Sequence, residues 1–486
     1  MQAVDIAMPC SMHLQGLLRR PIVVPTDPTS EDSVSSEVGV CTSVKPRLAV
    51  LRTLHHPNNG EALDRALTLW FPGPKSFTGE DTVELHLHGG VAVVNDVLHA
   101  LSLLPGYRPA VQGEFTKQAF ENGHLDLTEV EALSDLLNAN TAGQRRLALN
   151  QMGGALRMLY EGWREELVAC AAHVEAVIDF GEAEEISDDI LAPVAPRVRA
   201  LRDHLLRHCH DNSKGEIIRN GVDVVLVGAP NAGKSSLINA LAQRSVSIVS
   251  PSAGTTRDVV EVSFNLSGYP VTLRDTAGLR ETIDPVEAEG VSRAQALITS
   301  ADIVVCVVDA TTLPAQSTLA DAWQQVKMLL ADVSTDDVQG DALVSKNRLT
   351  LLVLNKSDLV QEAQLFNQSS LGVDGDAGAS ELTRLVSCTT GAGVSDLLDT
   401  VGSWVSDALA VDPSDGPLMT RQRHRQHVVD CCAHLDRFLE VCSSSDYVPL
   451  AAEHLRSAVQ ALGRITGRTD VEDILDVVFN DFCIGK

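Results

Sequence analysis

The feature that most constrains this chain is a glycine-rich loop between a short apolar run and a helical one. The apolar run Val222–Val227 leads directly into Gly-Ala-Pro-Asn-Ala-Gly-Lys-Ser at residues 228–235. This spacing is that of a phosphate-binding P-loop, whose glycines let backbone N–H groups close around phosphate oxygens. Lys234 would neutralise charge on the β- and γ-phosphates, and Ser235 would hold Mg²⁺. The loop stands in the strand–loop–helix context that such a site requires.

Two later segments predict which base the nucleotide carries. Asn-Lys-Ser-Asp at residues 355–358 follows the buried run Leu351–Leu354. Asp358 can accept hydrogen bonds from both N1–H and the exocyclic amine of guanine, whereas adenine lacks N1–H and would leave the carboxylate unpaired. Ser-Cys-Thr at residues 387–389 has the position of a contact to guanine O6. The pattern therefore favours GTP over ATP.

Two more segments predict residues that respond to the γ-phosphate. Asp-Thr-Ala-Gly at residues 275–278 places a carboxylate to reach Mg²⁺ through water and a glycine N–H toward the γ-phosphate. Thr256 is suited to coordinate Mg²⁺ only while that phosphate is present. Leu279 stands where many small GTPases carry a glutamine that orients water, so another group must handle the attacking water. The predicted nucleotide contacts are Asn231, Ala232, Gly233, Lys234, Ser235, Ser236, Thr255, Thr256, Asp275, Thr276, Ala277, Gly278, Asn355, Lys356, Asp358, Ser387, Cys388 and Thr389, with Ser235 and Thr256 as Mg²⁺ ligands.

Length and charge narrow the classes of protein further. The 486 residues predict two to four domains, and no apolar stretch approaches the length of a membrane span. With 38 basic against 65 acidic residues, the net charge of −27 excludes broad non-specific attraction to nucleic acid. Ten cysteines without a CxxC pair indicate reduced thiols in an intracellular compartment. Arg19 and Arg20, with Asp5 as the one acid before them, give a faint version of an organelle transit peptide.

Changes in hydrophobic period predict four segments along the chain. Residues 1–120 form a small α+β domain in which a loop over Thr26–Thr42 precedes ordered structure from about Ala62. Residues 121–214 are helical, 215–410 alternate short apolar runs with helices as in a parallel α/β sheet, and 411–486 are helical again. The simplest architecture is an α/β domain inserted into a helical one.

The helical segments carry three local predictions. Thr128 with Glu131 predicts a capping box at a helix start, and Cys431-Cys432 predicts two buried helix positions. Arginines at positions 421, 423 and 425 form a local basic strip in an acidic chain. That strip is open to two interpretations, a tRNA contact or a solvated helix start.

Several motifs together resemble one known family, the MnmE-type tRNA uridine-modification GTPases. The motifs that carry the resemblance are Asn231 in the P-loop, Gly254–Asp258, Asp275–Arg280 and the terminal Cys483–Lys486, supported by Trp70–Pro74, Ser76–Asp81, Gly113–Thr116 and Val174–Phe180. The similarity covers about Ala62 to Lys486 and is closer to the animal mitochondrial form. It implies an α/β P-loop GTPase domain inserted into an α-helical domain, preceded by a small α+β N-terminal domain that resembles a folate-binding domain.

For the GTPase domain, the resemblance implies dependence on K⁺ and dimerisation in the GTP state. The family binds K⁺ where other GTPases receive an arginine finger. The implied K⁺ ligands are the side chains of Asn231 and Thr255 and the carbonyls of Ser250 and Ser252. Glu287 matches the family glutamate that orients or activates water, although its position alone would equally fit an exposed helix acid.

For the whole chain, the resemblance implies a homodimer in the mitochondrial matrix that acts with an FAD- and NADH-using partner on tRNA. The reaction modifies C5 of the wobble uridine with one carbon from 5,10-methylene- or 5-formyl-tetrahydrofolate, and the added group in animal mitochondria is taurinomethyl. The implied folate contacts are Glu84, His124 and Lys486, with Cys483 as a residue for the one-carbon chemistry.

Two departures from the family predict weaker folate binding. Residues Met1 to Arg52 do not match the family's first strand and its arginine, which predicts an unpaired sheet edge. His124 stands where the family has a lysine, and an imidazole offers fewer donors than an ammonium group.

Other classes of protein share some of these motifs. A regulatory G protein or a ribosome-assembly factor would use GTP binding alone to switch partner affinity, and the nucleotide motifs allow this. The two helical segments and the terminal Cys-Ile-Gly-Lys favour the modification enzyme instead. A purely structural scaffold conflicts with the intact nucleotide motifs.

Overall fold

The strands of this chain form two separate sheets, one early in the sequence and one central. The computed structural model describes residues 2–7, 45–180, 193–211, 213–244, 248–250, 261–275, 297–313, 322–324, 326, 349–360, 381–411, 416–444 and 448–469. Contacts between residues divide the chain into two units, one drawn from Met1–Ser134, Met152–Ala171 and Leu455–Lys486, the other from Asp135–Gln151 and Ala172–His454. The four-segment division made from the sequence stays a prediction.

The early sheet has four antiparallel strands in the order β1-β4-β3-β2. Its strands are β1 (Gln2–Ala7), β2 (Val50–His55), β3 (Ala62–Phe71) and β4 (Thr82–Leu87). Helix α1 (Val91–Ser102) covers one face, where Leu85 and Leu87 pack with Val97 and Leu101 of the helix. Alternating inward side chains therefore produce a sheet with one apolar face, as the period-2 pattern predicts.

Two expectations about the start of this sheet are wrong. Order does not begin at Ala62, because β2 precedes it and pairs with β3 from Val50 opposite Thr68. The first strand is also present, since β1 pairs with β4 from Gln2 opposite Leu87 and covers its edge. A six-residue strand carries too little periodicity of its own, and its pairing partner rather than its pattern stabilises it. The segment Thr26–Thr42 lies outside the described residues.

Helices follow the early sheet and resume after the central one. The first group is α2 (Glu114–Glu121), α3 (Leu127–Leu137), α4 (Ala142–Met152), α5 (Ala155–Phe180), α6 (Ala195–Asp211) and α7 (Ser213–Asn220).

The capping box of α3 lies two residues before the predicted pair of Thr128 and Glu131. Asp126 Oδ1 accepts a hydrogen bond from the Glu129 backbone N–H at 2.8 Å, and Glu129 Oε2 accepts one from the Asp126 N–H at 2.8 Å. Thr128 Oγ1 also donates to Asp126 Oδ1 at 2.7 Å. Aspartate is as good an N-cap as serine or threonine, and here both reciprocal bonds form.

The central sheet has seven strands in the order β11-β10-β9-β5-β8-β7-β6. These are β5 (Val222–Val227), β6 (Ile248–Ser250), β7 (Glu261–Leu266), β8 (Tyr269–Asp275), β9 (Ile303–Asp309), β10 (Leu349–Asn355) and β11 (Glu381–Leu385). The strands from β5 outward through β9, β10 and β11, together with β8, are parallel, whereas β7 is antiparallel to both neighbours.

Both faces of the central sheet are covered. Helices α8 (Lys234–Arg244) and α9 (Val394–Ala408) contribute Leu237 and Val401 to the core on one face, and Trp323 lies in the core on the other. The chain runs from β5 to β8 on one side and then to β9 on the other side. The strand order thus reverses at β5, and ligands of open α/β sheets bind at the carboxyl ends of strands at such a point.

Two helices complete the chain, α10 (Gln422–Ser444) and α11 (Val448–Thr466). Helix α10 packs against α6, where Arg202 Nη1 lies 2.8 Å from Asp436 Oδ1, and it buries Cys431 and Cys432 as predicted. The predicted architecture, an α/β domain between two helical segments, is confirmed. In the ranges given above, no helix is both long enough and apolar enough to traverse a membrane.

Candidate nucleotide site

The loop after β5 has the backbone geometry of an anion-binding turn. Asn231 and Gly233 both adopt the left-handed region, with φ of 63° and 98°. A Cβ on Gly233 would collide with the Asn355 amide, so this position requires glycine. The loop then enters α8 at Lys234, and a helix N-terminus offers N–H groups and a positive dipole end to phosphate.

Lys234 lies inside this loop with 6 % of its surface exposed. Its Nζ donates hydrogen bonds to the carbonyl oxygens of Gly228 and Ala229 at 2.9 and 3.0 Å. An ammonium group buried at the base of an N–H-lined loop adds a full positive charge where phosphate oxygens would lie.

Two of the residues predicted to bind Mg²⁺, directly or through water, are described by the structure, and both lie at this loop. Ser235 Oγ donates to Asp275 Oδ2 at 2.7 Å. Asp275 ends β8 beside β5, in register with Leu226, and is 2 % exposed. A hydroxyl and a carboxylate are hard oxygen ligands of the kind that Mg²⁺ takes, so this pair fits the ion.

The residues predicted to recognise the base lie in separate segments and are joined by hydrogen bonds. Asn355 Nδ2 donates to the Ala232 carbonyl in the P-loop at 2.9 Å. Ser387 Oγ donates to Asp358 Oδ1 at 2.6 Å, which joins the segment after β10 to the one after β11. The Cys388 N–H lies 3.4 Å from Asn355 Oδ1. The structure therefore brings three separated motifs together at one edge of the sheet, as the sequence predicted.

Sequence reasoning missed two residues at this edge, Asp309 and Arg244. Asp309 ends β9 in register with Asn355, and its Oδ2 lies 2.6 Å from Lys356 Nζ. Arg244, the last residue of α8, donates through Nη2 to the Gly391 carbonyl at 2.9 Å, just beyond residues 387–389. The signal for Asp309 was available, because an acid directly after a buried apolar run lies at the carboxyl edge of a parallel sheet.

Charge at Asp309 is fixed by its neighbours. Burial by itself would raise the pKa of Asp309, but hydrogen bonds from Lys356 and Thr311 outweigh it and hold that pKa below its ordinary value. The carboxylate is therefore ionised at neutral pH and forms an ion pair with the Lys356 ammonium.

Several predicted residues lie outside the described part of the chain. These are Ser252, Thr255, Thr256, Thr276, Ala277, Gly278, Glu287, Cys483 and Lys486. Ser250 belongs to the described strand β6, but only its backbone is described. The K⁺ ligand set and the catalytic glutamate thus stay predictions.

The predicted folate residues that the structure describes have separate local partners. The Oε2 atom of Glu84, on β4, is 3.2 Å from the Nε2 atom of His86. His124 lies beside Gly79, where an added Cβ would meet His124 Nε2 at 3.1 Å. Asn122 Nδ2 donates to the Thr78 carbonyl at 2.8 Å and so fixes the same loop.

Two arginines of the basic strip are held by acidic side chains of the helical segments. Arg421 Nη2 lies 2.8 Å from Asp135 Oδ1, and Arg425 Nε lies 3.1 Å from Glu216 Oε1. Arg425 Nη1 also donates to the Cys209 carbonyl at 2.9 Å. The ion pairs argue against a solvated helix start for Arg421 and Arg425, whereas the contact with tRNA stays a prediction.

Comparison with known proteins agrees with this geometry. A family model described as the MnmE helical domain matches residues 127–483, and one described as the GTP-binding protein TrmE N-terminus matches residues 28–124. The second match begins before residue 52, so the expectation that residues 1–52 fall outside the family pattern is wrong from residue 28 onward.

Full-length relatives are also similar over most of their length. The mitochondrial 5-taurinomethyluridine-[tRNA] synthase subunit GTPB3 of Danio rerio is 47% identical over 443 residues, covering 91% of this chain and 86% of the relative. Its Homo sapiens counterpart is 48% identical, covering 90% and 85%. The tRNA modification GTPase MnmE of Parvibaculum lavamentivorans is 46% identical, covering 91% of each.

Proposed function

This chain belongs to the MnmE family of tRNA modification GTPases, and on that premise we propose that it is the mitochondrial GTPase subunit of a wobble-uridine modification enzyme. It is a GTP hydrolase that acts in tRNA modification. The relatives named above as mitochondrial taurinomethyluridine synthase subunits support the location and the modification, 5-taurinomethyluridine. The word subunit in those names supports a partner protein, which we take to be the FAD- and NADH-dependent one, and the family further suggests a homodimer.

The observation that carries the hydrolytic part is the meeting of Lys234, Ser235 and Asp275 at the carboxyl end of β5. Lys234 would bind the β- and γ-phosphate oxygens, while Ser235 directly and Asp275 through water would hold Mg²⁺, together with Thr256. Mg²⁺, when bound, neutralises charge that develops on the transferred phosphoryl group. Catalysis by this chain then consists of positioning and electrostatic stabilisation.

A bound K⁺ would supply the positive charge that an arginine finger provides in other GTPases. Asn231 with Thr255, and the carbonyls of Ser250 and Ser252, are the proposed K⁺ ligands. Asn231 carries an amide oxygen of the kind that hard cations take as a ligand, and its φ of 63° at the turn of the P-loop is a conformation that asparagine tolerates well. Turnover of GTP should be fast in KCl and slow in NaCl, measured by phosphate release at matched ionic strength. Equal rates in the two salts would remove K⁺ from the mechanism.

Glu287 is the proposed residue that orients the attacking water. Glu287→Ala should leave GTP affinity nearly intact and slow turnover by orders of magnitude, because water is positioned only in the transition state. Parallel loss of binding would assign Glu287 a structural role instead. Lys234→Ala provides the contrast, since it should weaken nucleotide binding itself.

The one-carbon unit is proposed to come from 5,10-methylene- or 5-formyl-tetrahydrofolate bound near Glu84, His124 and Lys486, with Cys483 in the one-carbon chemistry. Because β1 is present, the sheet edge no longer argues against folate binding. The missing family arginine and His124 in place of lysine are then the remaining reasons to expect weaker binding. Calorimetric titration with 5-formyltetrahydrofolate should show a gain in affinity for His124→Lys over the unmodified chain. Tight binding without that gain would show that His124 suffices.

A further inference from the structure

Among the described residues predicted to contact the base, Lys356 is anchored on β9. Asn355 is bound to the P-loop, and Asp358 is bound to Ser387. Lys356 projects from a left-handed position with φ of 62°, and its Nζ donates to Asp309 Oδ2 at 2.6 Å. The lysine stem thus reaches sideways along the sheet edge to the neighbouring strand.

Asp309 is itself held in a fixed orientation. Its Oδ1 accepts hydrogen bonds from the Thr311 backbone N–H at 2.9 Å and from Thr311 Oγ1 at 2.7 Å. Its backbone lies directly opposite Asn355 in the parallel register of β9 and β10. One carboxylate oxygen therefore caps the turn after β9, which leaves the other oxygen directed at the ammonium.

Fixing a lysine has a physical consequence for ligand binding. A lysine side chain has four rotatable bonds, and ordering it on binding costs conformational entropy. A partner that already holds the side chain removes part of that cost before the nucleotide arrives. The side chain of Asp309 is 16% exposed and that of Lys356 is 35% exposed, so solvent weakens the pair without abolishing it.

We propose that Asp309 is a positioning residue for guanine-nucleotide binding, acting through Lys356. The proposal deepens the nucleotide site described above and rests on that site alone, not on K⁺, folate or tRNA. Asp309 contributes to the affinity for GDP and GTP and not to the rate of hydrolysis at saturating GTP.

Asp309→Asn tests the proposal with little change of shape, because the amide oxygen can still accept from Thr311. Release of N-methylanthraniloyl-GDP from the full chain should become about five- to tenfold faster, with a matching rise in Kd and in KM for GTP. The kcat should stay within about twofold of that of the parent protein, because residues 355–358 are proposed to bind the base rather than the phosphates. Thr311→Val is the matched control, since it removes only the hydroxyl bond to Asp309, while the Thr311 backbone N–H still holds Oδ1 and the lysine pair stays in place.

A double variant decides whether Asp309 acts through Lys356. In a Lys356→Met background, Asp309→Asn should change nucleotide release by less than about twofold. Additive effects in the double variant, a fall in kcat without a change in Kd, an Asp309→Asn protein that fails to fold, or an equal effect of Thr311→Val would each overturn the proposal. Failure of the parent protein to bind the fluorescent GDP would instead overturn the nucleotide site itself.

Discussion

At the scale of single residues, we propose that Asp358 determines which base this chain accepts. Its carboxylate can accept two N–H groups of guanine, and Ser387 holds it with a hydrogen bond of 2.6 Å. Asparagine at this position would keep the contact to Ser387 but replace one acceptor by an N–H donor. Xanthine has a carbonyl where guanine has its exocyclic amine, and an N–H donor matches it.

Asp358→Asn should therefore change the base preference of the site from guanine to xanthine. We expect GDP affinity to fall by about ten- to a hundredfold, because a charge-assisted hydrogen bond is lost, and XDP affinity to rise. Competition of GDP and XDP against a fluorescent nucleotide measures both affinities. Unchanged preference for GDP would show that the base does not bind at Asp358.

A second residue, Asp126, links stability to pH. Burial raises the pKa of Asp126 to about 6, and the hydrogen bonds from Glu129 and Thr128 only partly oppose it. Because this folded-state pKa lies above the ordinary value of 3.8, the folded chain binds the proton more tightly than the unfolded chain. The contribution of Asp126 to stability is therefore present at low pH and is lost as the pH rises through about 6.

Asp126→Asn should remove this loss while keeping the cap, since asparagine is also a good N-cap. The unfolding free energy of the variant minus that of the parent protein should grow by up to about 3 kcal/mol as the pH rises from 4 to 7. Thermal unfolding of both proteins across this pH range measures the difference. A gap that stays constant with pH would mean that Asp126 does not titrate there.

At the scale of elements, buried strands were easier to predict than edges and caps. The parallel strands β5, β9 and β10 are continuous apolar runs because both faces are covered, and such runs can be read without a partner. Strand β1 could not be predicted, because its stability comes from pairing with β4. The pairing of Asp309 with Lys356 depends on strand order, which the sequence does not state.

Helix α4 and the turn between β7 and β8 contact each other through two glycines. The Gly143 N–H donates to the Gly268 carbonyl at 2.9 Å, and an added Cβ on Gly143 would meet the Tyr269 ring at 2.9 Å. The Tyr269 hydroxyl donates to the Leu409 carbonyl at 3.3 Å, which limits how far the ring can move. Position 143 therefore requires glycine because a side chain would collide with the Tyr269 ring, and not because of its backbone conformation.

Gly143→Ala should destabilise the chain by about 1–3 kcal/mol, because an overpacked contact outweighs the better helix propensity of alanine. Gly162→Ala in α5 is the matched control, since nothing lies within 4 Å of its added Cβ, and it should stabilise by about 0.5–1 kcal/mol. Urea unfolding measures both. Equal stabilisation by the two substitutions would contradict the close contact at Gly143.

At the scale of the whole molecule, one carboxylate ties together the two points where the chain enters and leaves the α/β domain. Asp135 Oδ1 accepts from Arg219 Nε at 2.9 Å, just before β5, and from Arg421 Nη2 at 2.8 Å, just before α10. The Asp135 side chain is 16% exposed, so the pair is partly desolvated. These three side chains hold together the two places where the chain passes between the helical segments and the α/β domain.

Asp135→Asn should lower the unfolding free energy by about 1–3 kcal/mol, because two partly buried guanidinium groups lose their charged partner. Hydrogen exchange should accelerate in the segments around Arg219 and Arg421. Asp203→Asn is the control, since Asp203 is 52% exposed and Arg202 keeps Asp436 at 2.8 Å, so its effect should stay within about 0.5 kcal/mol. Equal effects of the two substitutions would contradict the role of Asp135.

Mass spectrometry of wobble uridines in mitochondrial tRNA tests the central claim most directly. Cells that lack this protein should lose 5-taurinomethyluridine, and the parent chain should restore it. Ser235→Ala should fail to restore it, because the hydroxyl beside Asp275 is needed for the Mg²⁺-bound nucleotide. Unchanged 5-taurinomethyluridine without the protein, or full restoration by Ser235→Ala, would contradict the account of a GTP-driven tRNA modification enzyme.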